Sequence, residues 1–287
     1  MPTLTASSFN TGYLPTWCPG CGDFGIWKSL QGALAKQNIG PDDGLLVYGI
    51  GCHGNMYDWM NMYGFVGLHG RALPVAQGAK LANHRLPVVV ISGDGDCLGE
   101  GGNHFIQAAK RNPDVTVVIH DNQVYGLTTG QASPTAQPGL KTKSTPEGAT
   151  DEPINPLTLA LVSGATFVAR GFSGDLVGLT DLIAQAIAHK GFSVVDVLQP
   201  CVTFNKFYSY QWYRPRLYKL AEAGYQPTDL MKALEKALEW GDKIPTGVFY
   251  DVQKPTSEDR EPALSEGPLN TLPLEIADWD NLLNEFV

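Results

Sequence analysis

Residues 88–122 read VVVISGDGDCLGEGGNHFIQAAKRNPDVTVVIHDN. It contains two continuous apolar runs, Val88–Ser92 and Val115–His120, with a helical pattern between them at Asn103–Arg111. Short runs rich in β-branched residues are typical of strands that are buried on both faces of a parallel sheet. The stretch therefore predicts a strand, a crossover helix and a second, parallel strand.

The same alternation continues on both sides of this unit. Further apolar runs predict strands, and apolar residues at helical spacing predict helices. The predicted strands are Leu45–Ile50, Thr166–Arg170 and Ser193–Leu198, and the predicted helices are Asp23–Gln37, Asp175–His189 and Thr228–Trp240. Together they predict an α/β fold built on a doubly wound, mostly parallel sheet.

The pattern changes after Cys201. A segment rich in Tyr, Trp, Lys and Arg, Asn205–Lys219, leads to the last predicted helix, and Pro, Glu and Asp are frequent from Val252 onward. We therefore predict a main domain over residues 1–220. Residues 221–287 are predicted to form a C-terminal extension, a helix followed by an extended tail. Wrapping a partner subunit and covering the chain's own surface are equally compatible with this tail.

The composition narrows the class of protein. The chain has 287 residues, of which 43% are hydrophobic and 17% charged, as in globular proteins. A net charge of −9 argues against nucleic-acid partners, because phosphate backbones require basic patches. No apolar run approaches the roughly 18 residues of a membrane span, and no secretory signal is visible. A soluble, cytoplasmic protein without a membrane partner is expected.

Carboxylate and amide side chains follow the two strands of the opening unit. Asp94 lies in the turn after the first strand, and Asn122 follows the second, with 26 residues between Gly95 and Asn122. Parallel strands present their carboxyl ends at one edge of a sheet, where ligands bind. Mg²⁺ prefers oxygen ligands and commonly shares them between protein and phosphate. Asp94, Asn122 and the backbone carbonyl of Val124 would supply such oxygens.

The glycines of the turn fit a bound diphosphate. Gly93 and Gly95 let the backbone approach phosphate oxygens, and their N–H groups can donate to them. The segment Gly126–Thr128 adds a further N–H group and the Thr128 hydroxyl. A Gly-Asp-Gly sequence alone is also common in plain β-turns. The position of Asn122 favours the magnesium diphosphate site over the plain turn.

The cysteines indicate a second site. Five cysteines in a chain without a visible export signal favour metal or redox roles over disulfides. Cys18 and Cys21 form a tight Cys-Pro-Gly-Cys turn, whereas Cys52 and Cys201 each follow a predicted strand. Four such thiolates suit a 4Fe–4S cluster or structural zinc. Zinc sites more often use two paired turns, and scattered core cysteines are a third interpretation.

The combined motifs resemble the β subunit of 2-oxoacid:ferredoxin oxidoreductases over about residues 16–220. The Gly-Asp-Gly and Asn pair is similar to the thiamine-diphosphate signature, with Asp121 at the first of its two closing asparagines. The resemblance implies a thiamine-diphosphate-binding fold. Its marks are WCPGCGDFGI, GIGC, LHGRALPVAQGAKLAN, ISGDGDCLGEGGNHFIQAAKRN, DNQVYGLTTGQASPT, TFVARG and VLQPC.

The resemblance also implies the ligands and contacts of the cofactors. Cys18, Cys21, Cys52 and Cys201 would hold one 4Fe–4S cluster, and Asp94, Asn122 and the Val124 carbonyl would hold Mg²⁺. With the turn residues above, the predicted thiamine contacts are Ile50, Gly51, Cys52, His53, His69, Gly70, Gly93, Gly95, Asp96, Asn122, Gly126, Leu127 and Thr128.

The implied activity is the oxidative decarboxylation of a 2-oxoacid, with coenzyme A as co-substrate and ferredoxin as electron acceptor. The cofactor carries the bond chemistry, and the protein orients it. Family members often carry Lys or Arg shortly after the third cysteine, whereas this chain has His53-Gly54-Asn55-Met56. His53, Asn55 or a partner subunit would therefore hold the substrate carboxylate, and His69 is a further catalytic candidate. 2-Oxoglutarate is favoured, with pyruvate close behind.

The chain shows only the diphosphate-binding half of a thiamine site. The resemblance therefore implies an α subunit that carries the pyrimidine half-site, in a heterodimer of dimers. Two alternatives remain open at this point. A non-oxidative thiamine lyase or synthase would share Asp94 and Asn122 but has no use for four cysteines. In a zinc-stabilised binding module, the cysteines would bind zinc and Gly-Asp-Gly would be only a turn.

Overall fold

The computed structural model describes residues 3–272 and 283–285. Eight of its strands form one sheet in the order β2-β1-β3-β4-β8-β7-β10-β9. Every pair from β2 to β7 is parallel, β10 runs antiparallel to β7, and β9 runs parallel to β10. The strands are β1 (Leu45–Tyr48), β2 (Tyr63–Val66), β3 (Val88–Gly93), β4 (Thr116–Asp121), β5 (Val124–Tyr125), β6 (Gln131–Ala132), β7 (Phe167–Phe172), β8 (Ser193–Leu198), β9 (Leu217–Lys219) and β10 (Ile244–Asp251).

Helices cover both faces of the sheet. Apolar residues of α1 and α5 pack on one face, and those of α2, α3, α4 and α7 pack on the other. The arrangement is a three-layer sandwich with an apolar core on each side of the sheet. The helices are α1 (Asp23–Lys36), α2 (Ala72–Ala82), α3 (Gly102–Arg111), α4 (Pro156–Ser163), α5 (Leu176–Ala188), α6 (Tyr210–Tyr213) and α7 (Leu230–Ala237).

The doubly wound, mostly parallel sheet predicted from the sequence is confirmed. All five predicted strands form, and every residue of β3, β4, β7 and β8 is buried, as expected for a sheet covered on both faces. Helix α5 begins one residue after the predicted Asp175, because the Asp175 carboxylate caps it by accepting from the Gly178 N–H at 3.0 Å.

Several elements were not predicted. Edge strand β2 contains Gly64 and is mostly exposed, so it lacks the apolar run of a buried strand. Strand β10 contains Pro245 and Gly247 and has a bulge after Val248, which hides its period. Because β10 joins the main sheet, the sheet includes residues on both sides of the boundary predicted at residue 220. That boundary stays a prediction.

The C-terminal segment is described in part. The chain from Val252 to Leu272 makes short helical turns at 258–260, 262–264 and 269–271. Its remaining predicted tail, apart from residues 283–285, lies outside the described residues. In the parts of the chain that are described, no helix is both long and apolar enough to cross a membrane.

Candidate active site

The predicted thiamine contacts meet at the carboxyl ends of β1, β2, β3 and β4. The strand order reverses between β1 and β3, and ligands bind in the crevice at such a switch point. A cavity opens there, and its lining contains most of the predicted thiamine contacts. The lining residues are Ile50, Gly51, Cys52, His53, His69, Gly93, Asp94, Gly95, Asp96, Asn122, Val124, Tyr125, Gly126, Leu127 and Thr128.

Asp94 has two oxygens in different situations. Its Oδ2 accepts hydrogen bonds from the Gln123 backbone N–H at 3.0 Å and from the Ser133 and Thr135 hydroxyls, both at 2.5 Å. Within the described residues, Oδ1 has no hydrogen-bond partner. Burial raises the pKa of Asp94, and the two hydroxyl hydrogen bonds oppose that rise. One oxygen is therefore fixed while the other remains free for a cation, which fits the predicted metal ligand.

Asn122 has its amide held in one orientation. Its Oδ1 accepts from the Val124 backbone N–H at 3.0 Å, and its Nδ2 donates to Gln199 Oε1 at 3.0 Å. A carbonyl oxygen has two lone pairs, so Oδ1 can accept from Val124 and also contact a cation. Asp94, Asn122 and Val124 all border the same cavity. The donor set is the hard-oxygen type that Mg²⁺ prefers.

Asp121 departs from the thiamine signature, in which an asparagine stands at this position. It is buried, and its Oδ1 lies 2.8 Å from the Thr135 hydroxyl oxygen, whose single proton is donated to Asp94. Burial, followed by the charges of Asp196 and Asp94, raises the pKa of Asp121 well above its usual range. Asp121 therefore occupies the position of the first asparagine as a buried carboxyl in contact with Thr135.

Asp96 organises the opposite wall of the cavity. Its Oδ1 accepts from the Ile50 N–H at 3.1 Å, the Gly70 N–H at 2.8 Å and His69 Nδ1 at 2.5 Å. Burial alone would raise the pKa of Asp96, but His53 and several hydrogen bonds outweigh it and lower the pKa. The carboxylate thus ties the ends of β1 and β2 to the turn after β3. It also leaves Nε2 of His69 available on the cavity side.

His53 is buried and uncharged. Its Nε2 accepts from the Gly93 N–H at 3.1 Å, so its proton is on Nδ1. Burial lowers the pKa of His53 to about 4. A Cβ at Gly93 would lie 2.9 Å from the His53 ring, so the glycine is needed for this packing. His53 can therefore contact a ligand only as a neutral group, and its Nε2 is already in use.

The four predicted cluster ligands come from three segments that are tied together by hydrogen bonds. The turn at Cys18 closes through the Cys21 N–H donating to the Cys18 carbonyl at 2.9 Å, with Gly20 at φ +84°. The Gly22 N–H donates to the Pro200 carbonyl at 3.1 Å, which joins this turn to the segment after β8. Trp17 Nε1 donates to the Cys52 carbonyl at 2.7 Å.

Electrostatic interactions indicate that these thiols are neighbours. Burial raises the pKa of Cys52 to about 12, and the charges of Asp23, Cys201 and Cys18 add to the rise. Burial likewise raises the pKa of the Cys21 thiol, with Asp23 and Cys201 among the further causes. A cation or cluster would relieve this mutual repulsion of thiolates. Among the described residues, no group of three or more His, Cys, Asp or Glu is placed to hold a single metal ion.

Two of the residues predicted to contact thiamine or substrate fall outside the cavity lining, and a third has its hydroxyl in use. Asn55 lies in the helical turn Cys52–Trp59, which leaves it exposed and away from the lining. Gly70 is buried, and its N–H is taken by Asp96. Thr128 borders the cavity, but its hydroxyl donates to Gln131 Oε1 at 2.6 Å. Their roles in binding stay predictions.

Similarity to known proteins settles the family. A family model described as thiamine pyrophosphate enzyme, C-terminal TPP binding domain, matches residues 49–197. Another, which describes the C terminal part of the pyruvate ferredoxin oxidoreductase beta subunit, matches residues 201–266. The chain is 46% identical to 2-oxoacid:ferredoxin oxidoreductase 1, subunit beta, of Aeropyrum pernix, covering 91% of this chain and 85% of that one. It belongs to the β subunits of 2-oxoacid:ferredoxin oxidoreductases.

Other members of the family agree. The 2-oxoacid:ferredoxin oxidoreductase subunit beta of Saccharolobus solfataricus is 47% identical, with 82% of this chain and 81% of that one covered. A structure of 2-oxoglutarate:ferredoxin oxidoreductase from Magnetococcus marinus, with 2-oxoglutarate, coenzyme A and succinyl-CoA bound, superimposes with a TM-score of 0.91 at 35% identity. That match covers 100% of this chain and 97% of the other. The predicted thiamine-diphosphate-binding fold is confirmed, and a β subunit implies an α-subunit partner.

Four residues of the candidate site were not predicted from the sequence. Tyr125 borders the cavity, and its ring lies edge-to-face against His69 at 6.2 Å. Ser133, Thr135 and Gln199 hold the predicted metal ligands. Each of these three stands beside a proline, in the segments ASPT and VLQPC. A buried polar residue in a Pro-containing segment after a strand was the available signal.

Proposed function

We propose that this β subunit binds thiamine diphosphate through Mg²⁺ and carries one 4Fe–4S cluster, and that it catalyses the coenzyme A-dependent oxidative decarboxylation of a 2-oxoacid. Electrons would pass through the cluster to ferredoxin. The supporting observation is that the oxygen donors and the cysteines share one edge of the sheet. Cys52 belongs to both sets, since it borders the cavity and lies near Cys18 and Cys201.

The magnesium site is supported by the donors present. The free Oδ1 of Asp94, the Oδ1 of Asn122 and the carbonyl of Val124 would complete a coordination sphere with diphosphate oxygens. The glycines are needed for the close packing of the residues that line this cavity. A Cβ at Gly95 would lie 2.4 Å from the Tyr125 ring, and one at Gly126 would lie 3.3 Å from Cys52 Sγ.

The cluster is supported by the grouping of Cys18, Cys21, Cys52 and Cys201. A four-iron cluster spaces its sulfur ligands farther apart than a single ion does, so four cysteines from separate segments suit it. When bound, thiamine diphosphate supplies the carbon nucleophile for the 2-oxo group and retains electrons after carbon dioxide leaves. Cys52 would place the cluster beside the cofactor, where those electrons can leave one at a time.

The residues of the chain have distinct parts in this proposal. Asp96 holds His69 through Nδ1, so His69 can exchange a proton at Nε2 with a group in the cavity. Neutral His53 contributes no positive charge for the substrate carboxylate. The substrate carboxylate would instead be bound by Asn55, in the exposed turn, or by the α subunit. 2-Oxoglutarate is the favoured substrate, and the bound 2-oxoglutarate of the Magnetococcus marinus relative supports it.

The α subunit would supply the pyrimidine half-site. Exposed apolar side chains of β2 and the following loop, Tyr63, Phe65 and Leu68, lie next to His69 in the chain. Exposed apolar groups beside a ligand cavity are typical of protein interfaces. We propose that the α subunit packs over them, in a heterodimer of dimers.

The activity is tested with the purified, anaerobic α–β complex. We expect 2-oxoglutarate, and more weakly pyruvate, to reduce ferredoxin only when coenzyme A and thiamine diphosphate are present. The β chain without its partner should show no turnover. Reduction of ferredoxin by no 2-oxoacid would contradict the proposed reaction. Full activity of the isolated β chain would contradict the shared site.

A further inference from the structure

Gln199 lies directly after β8, between the predicted cluster and the predicted magnesium site. It is buried, with 2% of its surface exposed. Its Nε2 donates to Cys21 Sγ at 3.4 Å, and its Oε1 accepts from Asn122 Nδ2 at 3.0 Å. Among the described residues, no other side chain hydrogen-bonds to a predicted ligand side chain of each site.

The orientation of this amide is fixed by the backbone. The Val124 N–H is a donor by its chemistry, so the Asn122 atom that faces it must be Oδ1. Asn122 then donates through Nδ2 to Gln199, which must accept through Oε1. Gln199 therefore turns Nε2, its only donor group, toward the sulfur of Cys21. The chain of donors and acceptors admits no flip of either amide.

Packing prevents the Gln199 side chain from swinging away. Its backbone N–H donates to the Asp121 carbonyl at 2.9 Å, which continues the pairing of β8 with β4. A Cβ at Gly22 would lie 2.6 Å from Gln199 Cγ and 3.3 Å from its Cα. Glycine at position 22 thus allows the turn after Cys21 to close directly over Gln199.

The bond to Cys21 changes character when a cluster binds. The thiol of Cys21 donates to Asp23 Oδ2 at 3.3 Å, but a thiolate ligand has no proton to donate. Gln199 then remains as the side-chain donor to that sulfur. A hydrogen bond stabilises negative charge on a cluster sulfur, and it does so more strongly in the reduced state, which carries one more electron. Its loss should make the midpoint potential more negative.

We propose that Gln199 is a positioning residue that holds the oxygen of Asn122 toward Mg²⁺ and donates to the cluster sulfur of Cys21, so that the two cofactor sites are coupled. This inference rests on the proposed function. Coupling is reciprocal. Binding of thiamine diphosphate and Mg²⁺ therefore shifts the cluster potential, and cluster reduction changes the affinity for the cofactor by the matching factor.

The test uses the anaerobic α–β complex with Gln199→Leu, Gln199→Glu and a control, Gln31→Leu. Gln31 is fully buried in α1 and bonds Asn10 Oδ1 at 3.0 Å, so it touches neither site. Gln199→Leu removes both bonds. Gln199→Glu keeps an acceptor for Asn122 but loses the N–H for Cys21. Midpoint potentials come from redox titrations followed by electron paramagnetic resonance, and cofactor affinities come from tryptophan fluorescence.

We expect Gln199→Leu to weaken binding of thiamine diphosphate with Mg²⁺ by about 10- to 100-fold and to lower the midpoint potential. Gln199→Glu should lower the potential with a smaller loss of affinity, and Gln31→Leu should change neither. In the wild type alone, adding the cofactor with Mg²⁺ should shift the potential. If Gln199→Leu assembles no cluster, the midpoint potential and cofactor affinity of Gln199→Glu are compared with those of the wild type, and this comparison tests the inference.

The failures of the inference and of the proposed function are distinguishable. In one outcome, the wild-type complex contains iron and both Gln199 variants have the same midpoint potential and cofactor affinity as the wild type. That result would overturn the role of Gln199 alone. A wild-type complex prepared without oxygen and found free of iron would overturn the proposed function, and the inference would fall with it.

Discussion

Asp94 uses one oxygen for the protein and leaves the other free. Replacing it by asparagine keeps the shape of the side chain and removes its charge. Since Asp94 supplies the one carboxylate of the predicted ligand set, we expect Asp94→Asn to weaken Mg²⁺-dependent binding of thiamine diphosphate by more than about 10-fold. Isothermal titration of the complex measures this. Asp58→Asn, at an exposed position outside the cavity, is the matched control. Equal affinities in the two variants would exclude Asp94 as a ligand.

Ser133 and Thr135 hold Asp94 in place through its Oδ2. Ser133→Ala and Thr135→Val remove these donors with little change in volume. Because residues behind a ligand orient it, each variant should weaken Mg²⁺ binding by about 10-fold. The same titration applies, with Thr180→Val as control, since the Thr180 hydroxyl bonds within α5 at the surface. Wild-type affinity in both variants would show that Asp94 needs no such support.

At the scale of elements, glycines reveal how closely α1 approaches β7. A Cβ at Gly25 of α1 would lie 2.0 Å from the Ser173 carbonyl oxygen, whereas one at Gly78 of α2 would meet nothing within 4 Å. Gly25→Ala should therefore destabilise the protein by about 1–3 kcal/mol or more through overpacking. Gly78→Ala should stabilise it by about 0.5–1 kcal/mol, because alanine favours the helix. Thermal unfolding of both variants measures the contrast, and a shift of the same sign in both would contradict it.

Asp114 links the segment before β4 to α2 and to the start of β8. It accepts from Lys80 Nζ at 2.8 Å and from Lys190 Nζ at 3.1 Å. Burial alone would raise the pKa of Asp114, but the two lysines, Lys80 first, outweigh burial and lower it. A lowered folded pKa contributes stability that is present above the unfolded pKa of about 3.9 and is lost as the pH falls through the folded pKa.

Asp114→Asn should therefore destabilise the protein by about 3 kcal/mol at neutral pH, because it leaves Lys80 buried without its partner. The difference from the wild type should shrink as the pH falls below about 4. Unfolding midpoints over a pH series measure it. Asp181→Asn, which breaks the exposed pair with Lys36, is the control and should cost less than about 1 kcal/mol. A difference that does not depend on pH would contradict the ion pair.

The elements that could be predicted from the sequence are those with an uninterrupted pattern of apolar residues. Strands β3, β4, β7 and β8 each contain a short apolar run, so their burial on both faces could be predicted from the sequence. The buried ion pair between Arg170 of β7 and Asp196 of β8 could not. Strand β10 was missed because Pro245 and Gly247 interrupt it. Helix α4 had its signals, a cap at Asn155, Pro156 at the first position and Gly164 at φ +103°, yet no stripe of polar residues marks its period.

In the candidate site, too, some residues could be predicted from the sequence and others could not. Asp94 and Asn122 were predictable, because the ends of adjacent parallel strands must meet. The supports of these ligands were not, since Ser133, Thr135 and Gln199 reach them across loops whose paths no periodicity determines. Asn55 was predicted from its proximity in sequence to Cys52, and its role in substrate binding stays a prediction. The helical turn 52–59 carries it to the surface.

At the scale of the molecule, the carboxyl edge of one sheet gathers two kinds of chemistry. The hard oxygens lie after β3 and β4, and the sulfurs lie before α1, after β1 and after β8. Cys52 and Gln199 stand between the two sets. The same edge continues to exposed apolar residues of β2, where we propose that the α subunit packs. We propose that this edge holds an iron–sulfur cluster beside a thiamine site.

The presence of the cluster can be measured by an anaerobic ultraviolet–visible spectrum of the purified complex, with iron, sulfide and zinc assayed on the same sample. We predict a broad band that dithionite bleaches, matched by about four irons per β chain. The Cys52→Ser variant should lose much of this absorption, and Cys97→Ser, at a buried cysteine outside the predicted ligands, should keep it. A colourless protein that contains stoichiometric zinc and no iron would contradict the account.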